Sequence, residues 1–338
     1  MAAFIEYIKP VLAGESLIQE TATELLDMVF SGEIPEAQIA AFLTAMHIKG
    51  PTPAEIAGFA GSLRSHAVQV EVSAEPLVDT CGTGGGAVKT CNVSTASAIV
   101  AAGAGVSVAK HGNRGITSGC GSADVLEALG VKIDASVEQI RACIEQAGVG
   151  FMFAPMFHPA MKYVQPIRKA LGFRTVFNIL GPLANPARAT AQVLGVADES
   201  LMQTMIDSLQ RLGTQCAMVV HSDGLDEIST LGVTKILRLD RGDISSMTVD
   251  PQELGLAKAR IDDLKAKDAQ DSARILRDIL AGKETGAKRD IVVLNAAAAM
   301  VVGGLALDFK TAMPLAQASI DSGKAQQALD ALVEISNR

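Results

Sequence analysis

A glycine-rich stretch contains the first group of residues in this 338-residue chain that could take part in chemistry. The stretch reads DTCGTGGGAVKTCNVST over residues 79–95, directly after a short apolar run. Glycines let the backbone approach a ligand closely, and the first N–H groups of a helix starting at Ser94 have no partner within that helix. The pattern therefore predicts an anion-binding site, with phosphate as the expected anion.

The charge around these glycines favours the same interpretation. From Thr80 to Ala123 the chain has neither Asp nor Glu, although the whole sequence has 37 acidic residues. The same span contains Lys89, Lys110 and Arg114. The stretch departs from the dinucleotide pattern GxGxxG and lacks the GK[ST] of a P-loop. Glycines alone would equally suit a tightly packed strand–turn–helix joint, but the acid-free, basic surroundings favour phosphate.

A pair of adjacent acids, Asp226 and Glu227, follows a predicted strand at 216–222. Side chains at the carboxyl ends of parallel strands share one edge of the sheet. Adjacent carboxylates beside hydroxyl groups suit a hard cation such as Mg²⁺. A solvated acidic turn is the alternative for this motif alone, and the predicted anion site on the same domain favours magnesium. The sequence shows no GxSxG motif and no obvious Cys–His pair for nucleophilic catalysis.

The periodicity predicts how these residues are positioned. Residues 1–72 read as helices only, and Thr52, Pro53 and Glu55 form a capping-box signature. Thereafter short apolar strands alternate with helices, which predicts an α/β domain with a mostly parallel sheet. The predicted strands are 77–82, 106–110, 149–154, 191–196, 216–222 and 234–240. We expect a small all-helical domain at 1–72, joined by helices from about 165–188, and an α/β domain at 73–338.

The composition restricts the kinds of partner and the cellular compartment that we expect for this chain. A net charge of −8 argues against a nucleic-acid partner and against an anionic membrane surface. The five cysteines form no C-x-x-C pair, so we expect reduced thiols and a cytoplasmic protein. The N-terminus has no signal-peptide pattern, and the apolar run 291–307 predicts a buried helix rather than a membrane span.

Several motifs together carry a family resemblance. They are GTGG at 82–85, NVST at 92–95, KHGNR at 110–114, GSADVLEALG at 121–130, the segment 161–187 and HSDGLDEIS at 221–229. In this order they resemble the nucleoside phosphorylase/phosphoribosyltransferase family, and within it the anthranilate phosphoribosyltransferases. The resemblance implies transfer of the phosphoribosyl group of phosphoribosyl pyrophosphate (PRPP) to anthranilate, in tryptophan biosynthesis. It further implies Mg²⁺, with two ions bound alongside PRPP. The apolar faces of the N-terminal helices need a partner surface, so we expect a homodimer joined through the helical domain.

The resemblance also implies roles for individual residues. PRPP would contact Gly82, Gly85, Gly86, Thr90, Asn92, Val93, Ser94, Thr95, Lys110, His111, Gly112, Asn113, Arg114, Gly115, Ile116, Thr117, Ser118 and Ser122. Anthranilate would contact Gly82, His111, Asn113 and Arg168, and the metal would contact Ser94, Asp226 and Glu227. Lys110, Asn113 and Arg168 would stabilise the transition state, with no residue assigned as acid or base. Arg168 is preferred to Arg174 because Arg168 occupies the family position.

The chain departs from the family pattern in places, and two alternatives stay open. Gly86 stands where the family commonly has an acid, Cys91 replaces an aromatic residue, and Gly119 replaces a basic one. We expect the missing acid to alter magnesium dependence or PRPP affinity. One alternative is a related enzyme, either a nucleoside phosphorylase, which the KHGNR and RTVFNILGPLANP patterns disfavour, or a phosphoribosyltransferase for another aromatic amine. The other is a non-enzymatic nucleic-acid-binding paralogue, which a pI of about 5.2 disfavours.

Overall fold

The computed structural model describes residues 2–86, 90–115 and 120–338. Its first part is helical, as predicted, with α1 (Ala2–Leu12), α2 (Gln19–Phe30), α3 (Glu36–Lys49) and α4 (Pro53–Ser65). The predicted capping box is present at the start of α4, where Thr52 and Glu55 each accept the other's backbone N–H. The buried Glu55 carboxylate also accepts from Lys49 Nζ at 2.8 Å and from the Leu17 amide at 2.9 Å, which ties α4 to α3 and to the loop before α2.

The rest of the chain forms the predicted α/β arrangement. The strands are β1 (Leu77–Gly82), β2 (Ser107–Gly112), β3 (Val149–Phe153), β4 (Ala191–Gly195), β5 (Cys216–His221), β6 (Thr234–Asp240) and β7 (Asp243–Val249). The helices are α5 (Val93–Gly103), α6 (Ser122–Ala128), α7 (Val137–Ala142), α8 (Ala154–Phe157), α9 (Gln165–Leu171), α10 (Phe177–Leu180), α11 (Leu201–Arg211), α12 (Ile261–Leu264), α13 (Ala269–Leu280), α14 (Ala287–Val302), α15 (Phe309–Asp321) and α16 (Lys324–Ser336). A π-helical turn covers Cys143–Ala147, and 3₁₀ turns cover Pro159–Tyr163, Gly181–Leu183 and Pro251–Leu254.

Strand β7 was not predicted, and its surroundings explain why. Most of its residues are exposed, so its sequence DISSMTV lacks the apolar alternation of a half-buried strand. It pairs antiparallel with β6 through a two-residue turn at Arg241 and Gly242. Both turn residues have positive φ, of 48° and 98°, which is the backbone twist that two-residue hairpins favour.

The sheet separates two hydrophobic cores. Val78, Val108 and Val193 face one core, which contains the helices α5, α14, α15 and α16. Leu194 and Val219 face the other, which contains α1–α4. Helix α14 is buried along most of its length, which confirms the prediction of a buried helix. Within the described ranges, no helix is both long and apolar enough to cross a membrane.

Helices α9 and α10 pack against the N-terminal helices. Ile167 of α9 and Phe177 of α10 share a core with Phe30 and Phe42, and the Phe30 and Phe177 ring centroids are 6.5 Å apart. The expectation that helices near 165–188 belong to the helical domain stays a prediction, and so does the proposed boundary between residues 72 and 73.

The order of the strands creates one position suited to a ligand. The order is β3-β2-β1-β4-β5-β6-β7. Strands β1 to β5 are parallel, β6 is antiparallel to β5, and β7 is antiparallel to β6. From β1 the chain proceeds outward to β2 and β3 and then returns to place β4 on the other side of β1. Ligands of open α/β sheets bind at such a switch point, at the carboxyl ends of the strands. Here those ends carry Gly82 and Gly195, which are paired in register.

Candidate active site

The glycines at the switch point make room for a carboxylate. A Cβ on Gly82 would overlap the Asp226 carboxylate, and a Cβ on Gly195 would overlap the Asp226 main-chain carbonyl. The Gly84 amide donates to Asp226 Oδ2 at 3.0 Å. Gly84 and Gly85 have φ of 63° and 78°, a region that residues with a Cβ rarely adopt. The glycine-rich stretch is therefore shaped to receive Asp226, 142 residues away from Gly84 in the chain.

Lys110 connects the two predicted phosphate segments. It lies near the end of β2 and is only 3% exposed. Its Nζ donates to the Thr80 carbonyl oxygen on β1 and to Ser94 Oγ at 3.2 Å in the first turn of α5. Asn92 caps that helix by accepting the Thr95 amide at 3.0 Å. The helix thus begins at Val93, one residue before the predicted start.

The predicted acid pair lies beside this lysine. Asp226 and Glu227 are both half-buried. Burial raises the pKa of Asp226 above its ordinary value. Burial and the neighbouring charge of Asp226 raise the pKa of Glu227 to about 8, while Lys110 and the Ser94 amide act to lower it. Two poorly solvated carboxylates side by side repel each other, and a bound cation would remove that cost.

This donor set suits magnesium. The carboxyl groups of Asp226 and Glu227 and the Ser94 hydroxyl would offer hard oxygen ligands to such an ion. In the part of the chain that the structure describes, no three His, Cys, Asp or Glu side chains form a metal-binding group. Mg²⁺ usually takes only one or two protein carboxylates and completes its coordination with water and substrate phosphates. The residues present therefore fit a magnesium ion that arrives with its phosphate ligand.

A buried polar network that sequence reasoning missed lies beneath β1 and β2. Asp79 is fully buried and accepts the His111 amide at 3.3 Å and Asn185 Nδ2 at 2.8 Å. The Nε2 atoms of His111 and His158 are 3.2 Å apart. Burial lowers the pKa of these histidines to about 3 and about 4, so both are neutral at pH 7. Asp79 was visible as the lone acid of an apolar strand, whereas His158 and Asn185 carried no local signal.

The loop after β2 is held by Asp124 of α6. The Asp124 carboxylate accepts the Gly115 and Gly121 amides, each at 2.9 Å. Ser122 Oγ donates to the Asn113 carbonyl at 3.4 Å, and a Cβ on the adjacent Gly112 would overlap that hydroxyl. The structure therefore brings Asn113, Gly115 and Ser122 together.

The Arg114 side chain is held away from the glycine-rich stretch. Its guanidinium donates to the carboxylates of Asp124 at 3.0 Å and Glu127 at 2.8 Å. It also lies over the Phe153 ring, 5.7 Å from the centroid. Because these partners hold the side chain, Arg114 faces the neighbouring residues of the loop after β2 through its backbone.

Arg168 stands apart from these groups. Its guanidinium lies 5.6 Å from the Phe177 ring centroid and 3.3 Å from Gln165 Oε1, and burial lowers its pKa. By contrast, the Arg174 guanidinium packs against Gly85, at 2.7 Å from the position of a Cβ there. Arg174, which we ranked below Arg168, is thus the arginine that touches the glycine-rich stretch.

The remaining predicted residues fall into two groups. Val93 and Thr95 are buried in the first turn of α5, Thr90 Oγ1 donates to the Cys91 carbonyl at 2.9 Å, and Gly86 ends its described range. Ile116, Thr117 and Ser118, together with Lys89, lie outside the described residues.

Family models match most of the chain, and curated relatives match nearly all of it. The family model "Glycosyl transferase family, helical bundle domain" matches residues 5–67, and "Glycosyl transferase family, a/b domain" matches residues 74–326. A curated anthranilate phosphoribosyltransferase from Chloroflexus aggregans is 49% identical over 333 residues, which is 98% of each chain. One from Moorella thermoacetica is 48% identical over 96% of each chain.

Solved structures give the same result. The crystal structure of anthranilate phosphoribosyltransferase from Thermus thermophilus has a TM-score of 0.93 and 40% identity, covering 98% of this chain and 99% of that chain. The Saccharomyces cerevisiae enzyme in complex with PRPP and Mg has a TM-score of 0.90 and 26% identity, covering 99% and 98%. With its fold, its switch-point site and these matches over nearly its full length, the chain belongs to the anthranilate phosphoribosyltransferase family.

Proposed function

We propose that this chain transfers the phosphoribosyl group of PRPP to anthranilate, giving N-(5-phosphoribosyl)anthranilate and pyrophosphate in tryptophan biosynthesis. The observation that carries the proposal is the convergence of Lys110, Ser94 and the acid pair Asp226–Glu227 at one switch point. That arrangement offers amide and ammonium donors to a phosphate and carboxylates to its metal. The solved yeast relative that holds PRPP and Mg has the same fold.

The chemistry requires charge stabilisation more than proton transfer. As pyrophosphate leaves the ribose, negative charge grows on its oxygens, and donors already in place stabilise that charge. Lys110 Nζ uses two of its hydrogens on Thr80 and Ser94, which leaves a third for a phosphate oxygen. Magnesium, when bound, would neutralise charge on the leaving group. The aniline nitrogen of anthranilate is neutral near pH 7, so no strong base is needed for its attack.

The roles of the individual residues follow from where they lie. We propose that PRPP contacts the backbone of Gly82, Gly85 and Gly86, the first turn of α5 and the segment 110–122, with Arg114 contributing its main chain. We propose that Ser94, Asp226 and Glu227 hold magnesium, with two ions accompanying PRPP. Gly82, His111, Asn113 and Arg168 are the proposed contacts of anthranilate.

Arg168 should determine anthranilate affinity. A guanidinium binds a carboxylate through two charge-assisted hydrogen bonds, so we expect Arg168→Ala to weaken anthranilate binding by about tenfold or more. PRPP affinity should change by less than about twofold, because the lost group would contact only the acceptor. Titration calorimetry with each substrate measures both. Lys169→Ala, which removes an exposed charge from the same helix, is the matched control. Equal losses of both affinities would contradict the role.

The main assay follows the loss of anthranilate fluorescence with PRPP while the magnesium concentration is varied. We expect consumption that requires both PRPP and magnesium. Gly86→Asp should lower the magnesium concentration for half-maximal rate, because it adds a carboxylate beside the proposed metal site. Identical magnesium curves for the two proteins would mean that position 86 is remote from the metal. PRPP binding without anthranilate consumption would point to another aromatic amine as acceptor.

We further propose a homodimer formed through the N-terminal helices. Ile5, Leu12, Ile18 and Ile48 are exposed by 39, 60, 64 and 79% in this part of the chain, and exposed apolar side chains concentrated in one region favour an interface. Sedimentation should give a species of twice the 35.1 kDa chain mass. Ile48→Asp should shift it towards monomer. A monomer at all working concentrations would rule the dimer out.

We propose a cytoplasmic location, with no nucleic-acid partner and no membrane partner. All five cysteines are free thiols, which is the usual state in a reducing compartment. The net charge of −8 supports the first of those exclusions.

A further inference from the structure

A second group of positively charged side chains lies at the amino ends of the parallel strands, opposite the end that carries the proposed PRPP residues. A cavity of about 310 Å³ is lined by Arg64 from the last turn of α4, by Arg188 and Thr190 just before β4, and by Thr214 after α11. Thr190 Oγ1 accepts the Leu77 amide at 3.3 Å, which places the cavity at the amino ends of β1 and β4. The proposed PRPP residues lie at the carboxyl ends of these strands, so the cavity is a separate site.

Both arginines are held by neutral groups. Arg64 Nε donates to the Leu183 carbonyl at 2.6 Å, and Arg188 Nε donates to Gln69 Oε1 at 3.1 Å. Gln69 is itself fixed, because its amide donates to the Arg64 carbonyl at 2.6 Å. Each guanidinium is thus oriented through Nε while its two terminal nitrogens stay available. Within the described ranges, no carboxylate lies at salt-bridge distance from either arginine.

The positive charges of Arg64 and Arg188 repel each other. Burial and the neighbouring charge of Arg188 lower the pKa of Arg64 to about 10, while the buried Asp79 carboxylate acts in the opposite direction. Arg188 also has a φ of 52°, a left-handed conformation that is costly for a residue with a Cβ. An anion bound in the cavity would relieve the repulsion between the two guanidinium groups, one of which is carried on a strained backbone.

We propose that this cavity binds a phosphate dianion, free or as a phosphomonoester, between the guanidiniums of Arg64 and Arg188. Guanidinium groups bind phosphate oxygens through paired hydrogen bonds, which a point charge cannot form. The cavity lies at the lower end of the range of about 300–1,000 Å³ typical of small-molecule sites, which suits a small polar ligand. Because Arg64 belongs to the helical part and Arg188 leads into the sheet, the ligand also links the two and stabilises the folded chain.

The test reads the two side chains directly. Arginine Nε–Hε signals are followed by NMR while the full chain is titrated with inorganic phosphate, and a sodium chloride titration at equal ionic strength serves as reference. We expect the Arg64 and Arg188 signals to shift and saturate with phosphate only. Phosphate entering the PRPP site leaves these two signals unmoved, so the readout separates the two sites. Absent shifts, or equal shifts with chloride, would overturn the proposal.

Variants keep the test specific. Arg188 is exposed, so the Arg188→Gln variant should fold. Its affinity for phosphate, read from the shift of the Arg64 signal, should be lower by about tenfold or more. Arg241→Gln is the matched control, because Arg241 is also exposed and also has a positive φ, of 48°, yet lies in the β6–β7 turn. Its effect should be below about twofold. An unchanged affinity in Arg188→Gln would refute the proposal. A parallel titration with glycerol phosphate shows whether free phosphate alone or phosphomonoesters as well occupy the cavity.

Discussion

Gly195→Ala should lower kcat/KM by about 100-fold or more, which is the largest effect on activity that we expect from any single substitution here. The new Cβ overlaps the main-chain carbonyl of Asp226, so the backbone carrying the acid pair must move. Displacements of about 1 Å at a catalytic site cost roughly this much. Gly195 itself lies in β4 and presents no side chain to a substrate, so the effect would act through the position of Asp226 and Glu227.

Two further glycine variants make this prediction specific. A Cβ on Gly82 meets the carboxylate of Asp226, a side-chain end that can rotate, so Gly82→Ala should lose less activity than Gly195→Ala. A Cβ on Gly232 comes no nearer than 3.8 Å to Asp223, so Gly232→Ala should retain wild-type activity. Steady-state kinetics on proteins that still unfold cooperatively will rank the three. Full activity in Gly195→Ala would show that the acid pair is not part of the site.

Lys110→Met should destabilise the fold by about 3–5 kcal/mol, the largest effect on stability that we expect. Lys110 is buried, and its removal leaves the buried Asp79 carboxylate without the cation that acts to lower its pKa. Urea unfolding measures the loss. Adding Asp79→Asn should recover part of it, because the double variant no longer buries that uncompensated charge. Lys235→Met removes an exposed pair with Glu199 and should cost far less than Lys110→Met, because solvent screens exposed pairs. Equal losses in Lys110→Met and Lys235→Met would disprove the coupling.

The same variant should change the pH dependence of stability. Burial raises the pKa of Asp79 from 3.8 to about 6, with Lys110 acting to lower it. Between those values the folded state binds more protons than the unfolded state, so the Asp79 contribution to stability falls as pH rises. Removing Lys110 raises the folded pKa further and extends this loss to higher pH, and Glu227 acts in the same direction. The difference from wild type should thus stay constant below the wild-type folded pKa of about 6 and grow as the pH rises above it. A difference independent of pH would contradict it.

Local features of the sequence predicted much of the fold. The capping box at Thr52 and Glu55, the strands from β1 to β6 and the buried α14 each depend on residues a few positions apart. Such features are dictated by backbone geometry and by burial of one face, which a single stretch of sequence contains. The exposed edge strand β7 escaped prediction because it buries little apolar surface and so shows no alternation.

The candidate site likewise has features that the sequence predicted and features that only the structure revealed. The sequence by itself predicted that residues 79–95 suit an anion, that a helix begins near Ser94 and that Asp226 and Glu227 suit a hard cation. Only the tertiary structure decided that these groups meet, because the pairing of β1 with β4 brings Gly82 beside Gly195 and beneath Asp226. It also placed Arg174 rather than Arg168 against Gly85. Long-range strand order and packing follow from the whole core, so no local pattern of residues encodes them.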